Sequence, residues 1–172
     1  MTDEVDYNDP DHCTVGVIGE VGHRLFLFYC RQGLAETTVK VEKQQVAVLA
    51  SYLGRIVKEL GRPGHLPDDL SFDGTEDPEW VVGTIGVSYD EEIDRVVVVL
   101  EEVHDEEEDE ADDPDRGHVL RIALTREQAA AFAIHATRLV EAGRPPCPLC
   151  GLPLDPSGHD CPRTNGHRPP VT

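Results

Sequence analysis

The sequence predicts an α+β fold: two fused βββα units forming an antiparallel sheet with two helices. Three observations predict it. Two stretches of helical periodicity, 43–60 and 125–142, each follow three strand-like runs. Gly and Pro clusters end both helical stretches, as Gly61-Arg-Pro-Gly64 and Gly143-Arg-Pro-Pro146. Residue blocks also recur in order. Gly16-Val17-Ile18-Gly19 matches Gly83-Thr84-Ile85-Gly86, and Arg24-Leu25-Phe26-Leu27-Phe28 matches Arg95-Val96-Val97-Val98-Val99. Val39-Lys-Val-Glu-Lys-Gln-Gln45 matches Ile122-Ala-Leu-Thr-Arg-Glu-Gln128, with Arg55 falling on Arg138. Neither unit buries its helix well alone, so pairing them, as one sheet or two packed sheets, supplies a workable core.

Element by element, residues 1–11 are acidic and polar and are expected to be disordered. A duplicated domain spans 12–143, with repeats at about 13–61 and 80–143. Its first strand, 14–19, and second, 24–29, form a hairpin about Val21-Gly22. The third strand, 36–41, is rich in β-branched residues. Val46, Leu49, Leu53, Ile56, Val57 and Leu60 then make one apolar helical stripe. The second unit offers strands at 80–87, 95–102 and 117–124. Its helix begins at Thr125 as N-cap and carries Ala129, Phe132, Ala133, Ala136, Leu139 and Val140 on one face.

The formal net charge of −19 is unevenly spread. Residues 101–115 hold eleven carboxylates and no Lys or Arg, and without them the balance is −8. Such a surface repels phosphate backbones, so general nucleic-acid binding is not expected. The loop 103–116 lacks the glycine-punctuated spacing of a calcium loop and reads as a solvated connection. Apolar runs such as Val96–Leu100 are too short to cross a bilayer, so no membrane association is expected. The acidic Met1–Asp6 stretch has no secretory pattern, which points to a reducing cytoplasm. There a cysteine cluster holds metal more readily than disulfides.

Such a cluster occupies the segment 144–172. Cys147-Pro-Leu-Cys150-Gly151 precedes His159-Asp-Cys161, with His167 beyond. Thiolates and an imidazole at this spacing suit a tetrahedral Zn²⁺ site, making the tail a small C-terminal zinc knuckle. Pro148 and Gly151 shape a turn whose N–H groups can bond to sulfur and keep the thiolates deprotonated. Cys147, Cys150 and Cys161 are the core ligands, with His159 or His167 as the fourth. Four protein donors close a site and make it structural, whereas a catalytic zinc keeps one position for water. Leu149, Leu152 and Leu154 are the segment's main apolar residues, so the metal supplies most of its folding energy.

Other features carry less. Cys13 and Cys30 face each other across the predicted hairpin, a position that admits a cross-strand disulfide, although a reducing cytosol favours buried thiols. Gly16, Gly19, Gly83 and Gly86 lie within strands, where close packing or bulges explain them better than phosphate binding. His12, His23, His65, His104, His118 and His135 stand in no catalytic setting.

Gly83-Thr-Ile-Gly86, the helix opening Leu124-Thr-Arg-Glu-Gln128 and above all the run from Arg144 to His167 resemble an actinobacterial family, domain of unknown function family 3090. The resemblance runs from about Cys13 to Arg168. It implies that Tyr commonly stands where this chain has His167, so the ligand set becomes Cys147, Cys150, His159 and Cys161. The family carries no established activity, so the resemblance implies no mechanism. The expected function is a non-enzymatic cytoplasmic module that binds a protein partner. The alternative is a zinc-dependent hydrolase or nuclease with an open metal site.

Overall fold

Nine elements form among the described residues. The computed structural model describes residues 3–20, 22–104, 117–143, 147–152, 154, 159 and 161–163. In order they are β1 (Asp3–Tyr7), β2 (His12–Ile18), β3 (Leu25–Gln32), β4 (Ala35–Val41), α1 (Lys43–Leu60), β5 (Val82–Asp90), β6 (Arg95–Glu102), β7 (His118–Leu124) and α2 (Arg126–Glu141). The class is α+β, and the strands divide into two sheets. One is antiparallel in the order β2-β3-β4; the other runs β1-β7-β6-β5. Val21 and most of the acidic loop, 105–116, lie outside the described residues.

The helices begin where capping chemistry places them. Thr125 caps α2, its hydroxyl accepting from the Gln128 N–H at 3.1 Å while the Gln128 side chain accepts from the Thr125 N–H at 3.0 Å. Glu42 N–H donates likewise to Gln45 Oε1 at 2.8 Å. At the far end of α1, Gly61 takes a positive φ and stops the helix.

The N-terminal stretch corrects an expectation. Residues 3–7 are not disordered; they form β1, parallel to β7, from Asp3 opposite His118 to Tyr7 opposite Ile122. Pairing uses the backbone, so an acidic sequence does not forbid it. Tyr7 anchors the strand, buried and with its hydroxyl 2.9 Å from Thr37 Oγ1 in β4.

The ladders also correct two of the three recurring blocks. Phe28 pairs with Val39, and Val98 pairs with Ile122. If Val39 corresponds to Ile122, then Phe28 corresponds to Val98 and not to Val99. Val15 pairs with Phe28 and Val87 with Val98, so Val15 corresponds to Val87. Matching Gly16-Val-Ile-Gly19 to Gly83-Thr-Ile-Gly86, or Arg24 to Arg95, is therefore out of register. A one-residue slip would turn every core side chain to the opposite face. Only the block that runs into the helix keeps its register.

The two βββα units interlock. The helices pack on each other, yet α2 lies against β2 and α1 against β5, so each helix covers the other unit's first strand. The capping glutamines follow the same exchange. Gln45 Nε2 donates to the carbonyls of Val82 and Gly83 at 3.1 Å, where β5 begins. Gln128 Nε2 donates to the Pro10 carbonyl at 2.7 Å, just before β2. The chain ahead of each first strand also crosses over: β1 pairs with β7, and Lys40 of β4 bridges Val81 in parallel. One hydrophobic core results, drawing on all nine elements, with β1 and β5 contributing Tyr7 and Val82.

The segment between α1 and β5 covers the outer face of the three-stranded sheet. Thr14 Oγ1 donates to the Leu70 carbonyl at 2.7 Å, and His12 Nε2 lies 2.7 Å from the Ser71 carbonyl. Phe72 sits over Gly16 and meets Tyr29 edge-on at 5.9 Å. A Cβ on Gly16 would run into the Phe72 ring, which makes close packing the reason for that glycine. Gly16→Ala is expected to destabilise the protein by about 1–3 kcal/mol through overpacking. Urea unfolding checks this, and Gly16→Ala combined with Phe72→Ala should lose the steric part of the cost.

Candidate metal centre

Helix α2 ends at Glu141, and six residues later the chain forms a tight turn around Cys147. Cys147 N–H donates to the Leu152 carbonyl at 2.7 Å, and Gly151 N–H donates to the Cys147 carbonyl at 2.8 Å. Gly151 closes this turn at φ +75°, a conformation that suits a residue without Cβ. The turn carries Cys147 inward, 2% exposed, with Cys150 half-buried beside it. His159 and Cys161 return to the same point from the second arm.

Four candidate ligand atoms meet there. The Cys147, Cys150 and Cys161 sulfurs and a His159 ring nitrogen all lie within 4.8 Å of one another. Cys147 Sγ is 4.0 Å from Cys161 Sγ, and Cys150 Sγ is 3.7 Å from His159 Nε2. This group can hold a metal ion. Three soft sulfurs and an imidazole suit a four-coordinate transition metal and do not suit Ca²⁺ or Mg²⁺, which take oxygen. His167, the other candidate, lies outside the described residues, as do Pro145, Pro146 and Gly158.

Backbone N–H groups favour the thiolate at two of the three sulfurs. Burial pushes the Cys147 thiol up, but N–H groups of Cys150 and Leu149 aimed at the sulfur outweigh it and lower the pKa to about 6. Cys161 is also lowered: burial opposes the change, while the Arg163 N–H and the His159 ring favour the thiolate. Cys150 is raised by burial and by its sulfur neighbours, against one N–H from Leu152. Sulfurs this close compete to stay protonated unless a cation joins them.

The histidines outside the cluster form no catalytic set among the described residues. His135 Nε2 lies 2.9 Å from the Val15 carbonyl, and His118 stacks on Trp80 with ring centres 6.0 Å apart. Both serve packing. Cys13 and Cys30 are directly opposite, as the hairpin register predicts, and are buried free thiols. Burial raises the Cys13 thiol well above its ordinary range, so it is a poor nucleophile.

A family model described as "Protein of unknown function (DUF3090)" matches residues 5–161. The chain belongs to this family. The matched range takes in both βββα units and ends on Cys161, so all four clustered residues fall within it. Neither a curated protein nor a solved structure matches the chain.

One feature of the surface escaped the sequence reading. Glu42, Gln44, Gln45, Val48, Leu49, Tyr52, Gly83, Ile85 and Val87 line a groove of about 560 Å³ between α1 and β5. Its signal was Val48 and Tyr52, two large apolar residues off the stripe of α1 and about half exposed.

Proposed function

We propose that this family member is a non-enzymatic, cytoplasmic protein-binding or adaptor module whose C-terminal segment is ordered by structural zinc. Cys147, Cys150, His159 and Cys161 are the ligands. The observation that carries this reading is the spacing of the four donors. Tetrahedral Zn²⁺ with Zn–S of about 2.3 Å and Zn–N of about 2.0–2.1 Å puts sulfurs about 3.8 Å apart and sulfur about 3.6 Å from nitrogen. The chain's own 4.0 and 3.7 Å lie close to both. When bound, the ion neutralises the thiolates and cross-links the two arms.

Four protein donors leave no position for water, which favours a structural site over a catalytic one. Leu149 and Leu152, 45% and 51% exposed, lie beside the buried cysteines and give the knuckle an apolar outer face for a partner. We also read the two βββα units as copies of one ancestral unit. The interlocking glutamine clips and the in-register helix block support that reading.

Cobalt substitution tests the site. The Co²⁺ protein should show thiolate charge-transfer and tetrahedral d–d bands that do not move on adding azide or thiocyanate. Bands that shift with anion would indicate an open coordination position and favour the hydrolase or nuclease alternative. Capture of partners from native cytosol, with and without residues 144–172, tests the adaptor role.

A further inference from the structure

We infer that the groove between α1 and β5 receives an extended, basic-ended peptide segment of a protein partner, which adds as a strand to the outer edge of β5 beyond Gly83. That edge has no ladder partner among the described residues. The inference rests on reading the protein as a binding module and supplies that module with a site and a ligand chemistry.

The two units make the observation sharp. Strand β2 is the edge of its sheet, and its Val15 carbonyl lies 2.9 Å from His135 Nε2 of α2. By register Val87 stands where Val15 stands, and the helix block that aligns Gln45 with Gln128 puts Tyr52 where His135 stands. Tyr52 and Val87 line an open groove in place of that closed contact. β5 is the outer strand of its sheet, with β6 as its ladder partner among the described residues. Gln45 occupies the Val82 and Gly83 carbonyls, and the strand runs on from there along the groove.

Its sequence lacks the usual protection of an edge. Residues 82–89 carry no charge and no proline, whereas exposed edges are commonly blunted by lysine, proline or a covering element. The bulge between Val82 and Thr84 distorts only its first residues. The floor is apolar, with Val48, Leu49, Tyr52, Ile85 and Val87 spaced to take alternate side chains of an added strand.

Both ends are acidic. At one end Val82 and Thr84 pair with Glu102 and Glu101, and Glu42, which also meets Lys40 at 3.7 Å, stands on the groove wall. At the other end are Asp90, Glu91 and Glu92, while Arg95 and Arg126 there are engaged by Asp9 and Asp94. Two cations oppose them, Arg55, stacked 4.4 Å from the Tyr52 ring centre, and Lys40 on Glu42. The balance selects a strand with lysine or arginine at each end. It also argues against a second copy of this chain. Antiparallel pairing of β5 with itself would bring Asp90, Glu91 and Glu92 of one copy to the Val82 end of the other, where Glu101 and Glu102 stand one strand further in, so like charges gather at both ends.

The test uses the full zinc-loaded chain and a labelled peptide with a Val-Thr-Ile-Thr-Val centre and a Lys-Arg pair at each end. Fluorescence anisotropy should show saturable binding. Glutamates in place of the basic ends, N-methylation of alternate peptide amides, or Val48→Lys should each weaken it about tenfold or more. Val48 is half exposed, so Val48→Lys should keep the unfolding midpoint, and Ile134→Lys on α2 should leave binding unchanged. Equal binding of the N-methylated peptide, or no effect of Val48→Lys, overturns the inference. So does sedimentation as a dimer that Val48→Lys dissociates, because a second copy would then fill the groove. A cytosolic partner whose capture ignores Val48→Lys would leave the module reading standing and the groove assignment refuted.

Discussion

Cys147→Ser is expected to leave less than about half an equivalent of zinc bound and to abolish amide protection across the knuckle. Structural zinc contributes on the order of 10–16 kcal/mol in small peptides, and this segment has little to replace it. Leu149 and Leu152 are about half exposed, so the apolar burial that could hold the turn together is slight. Cys147 and Cys161 are buried, but they are not members of the main core. The two βββα units should therefore unfold at an unchanged midpoint in the variant. Hydrogen exchange read by mass spectrometry separates the two regions, with residues 147–152 exchanging fast and peptides from β3 and β6 staying protected. Full zinc occupancy, or unchanged protection of the knuckle, would refute the structural role.

Much of the fold was legible because its helices are amphipathic and locally capped. α1 ends where Gly61 breaks it, and α2 starts after Thr125, positions that local side-chain chemistry fixes. The β2–β3 register was legible for the same reason, with Cys13 falling opposite Cys30 across a turn containing Gly22. Long-range pairing was not legible. β1 has one buried side chain, Tyr7, among five residues, and its partner β7 lies more than a hundred residues away. No local pattern encodes that contact.

The repeat blocks failed more instructively. Gly16 is needed because Phe72 crosses it, and Gly83 because a Cβ there would meet Val103 backbone at 2.7 Å. The two glycines answer separate steric demands and occupy different register positions, so their shared spacing is coincidental. The helix block kept its register because Gln45 and Gln128 perform the same task, each capping its helix and clipping the other unit. At the metal cluster the opposite held. Residue types and spacing are themselves the chemistry there, so Cys147, Cys150 and Cys161 stand out in the sequence, while spacing alone leaves the fourth ligand as His159 or His167. The fold brings the three cysteines together with His159 in a group that could hold a metal ion.

Because the units exchange helices and strand leads, they should unfold as one. Phe132 of α2 is the most direct probe. It is 1% exposed and packs its ring 5.4 Å from Phe28 of β3, tilted by 42°, so it joins the second unit's helix to the first unit's sheet. Phe132→Ala is expected to cost about 3–5 kcal/mol, the transfer term plus the cavity left beneath the helix. The loss should appear as a lower midpoint of a single transition, seen alike by far-ultraviolet circular dichroism and by Trp80 fluorescence. In a double-mutant cycle, Phe28 and Phe132 should couple by about 0.5–1.5 kcal/mol from the aromatic contact itself. Two separate transitions, with only the later one moved by Phe132→Ala, would mean that each βββα unit holds its own core. A cost below about 1 kcal/mol would mean that the ring bridges nothing across the units.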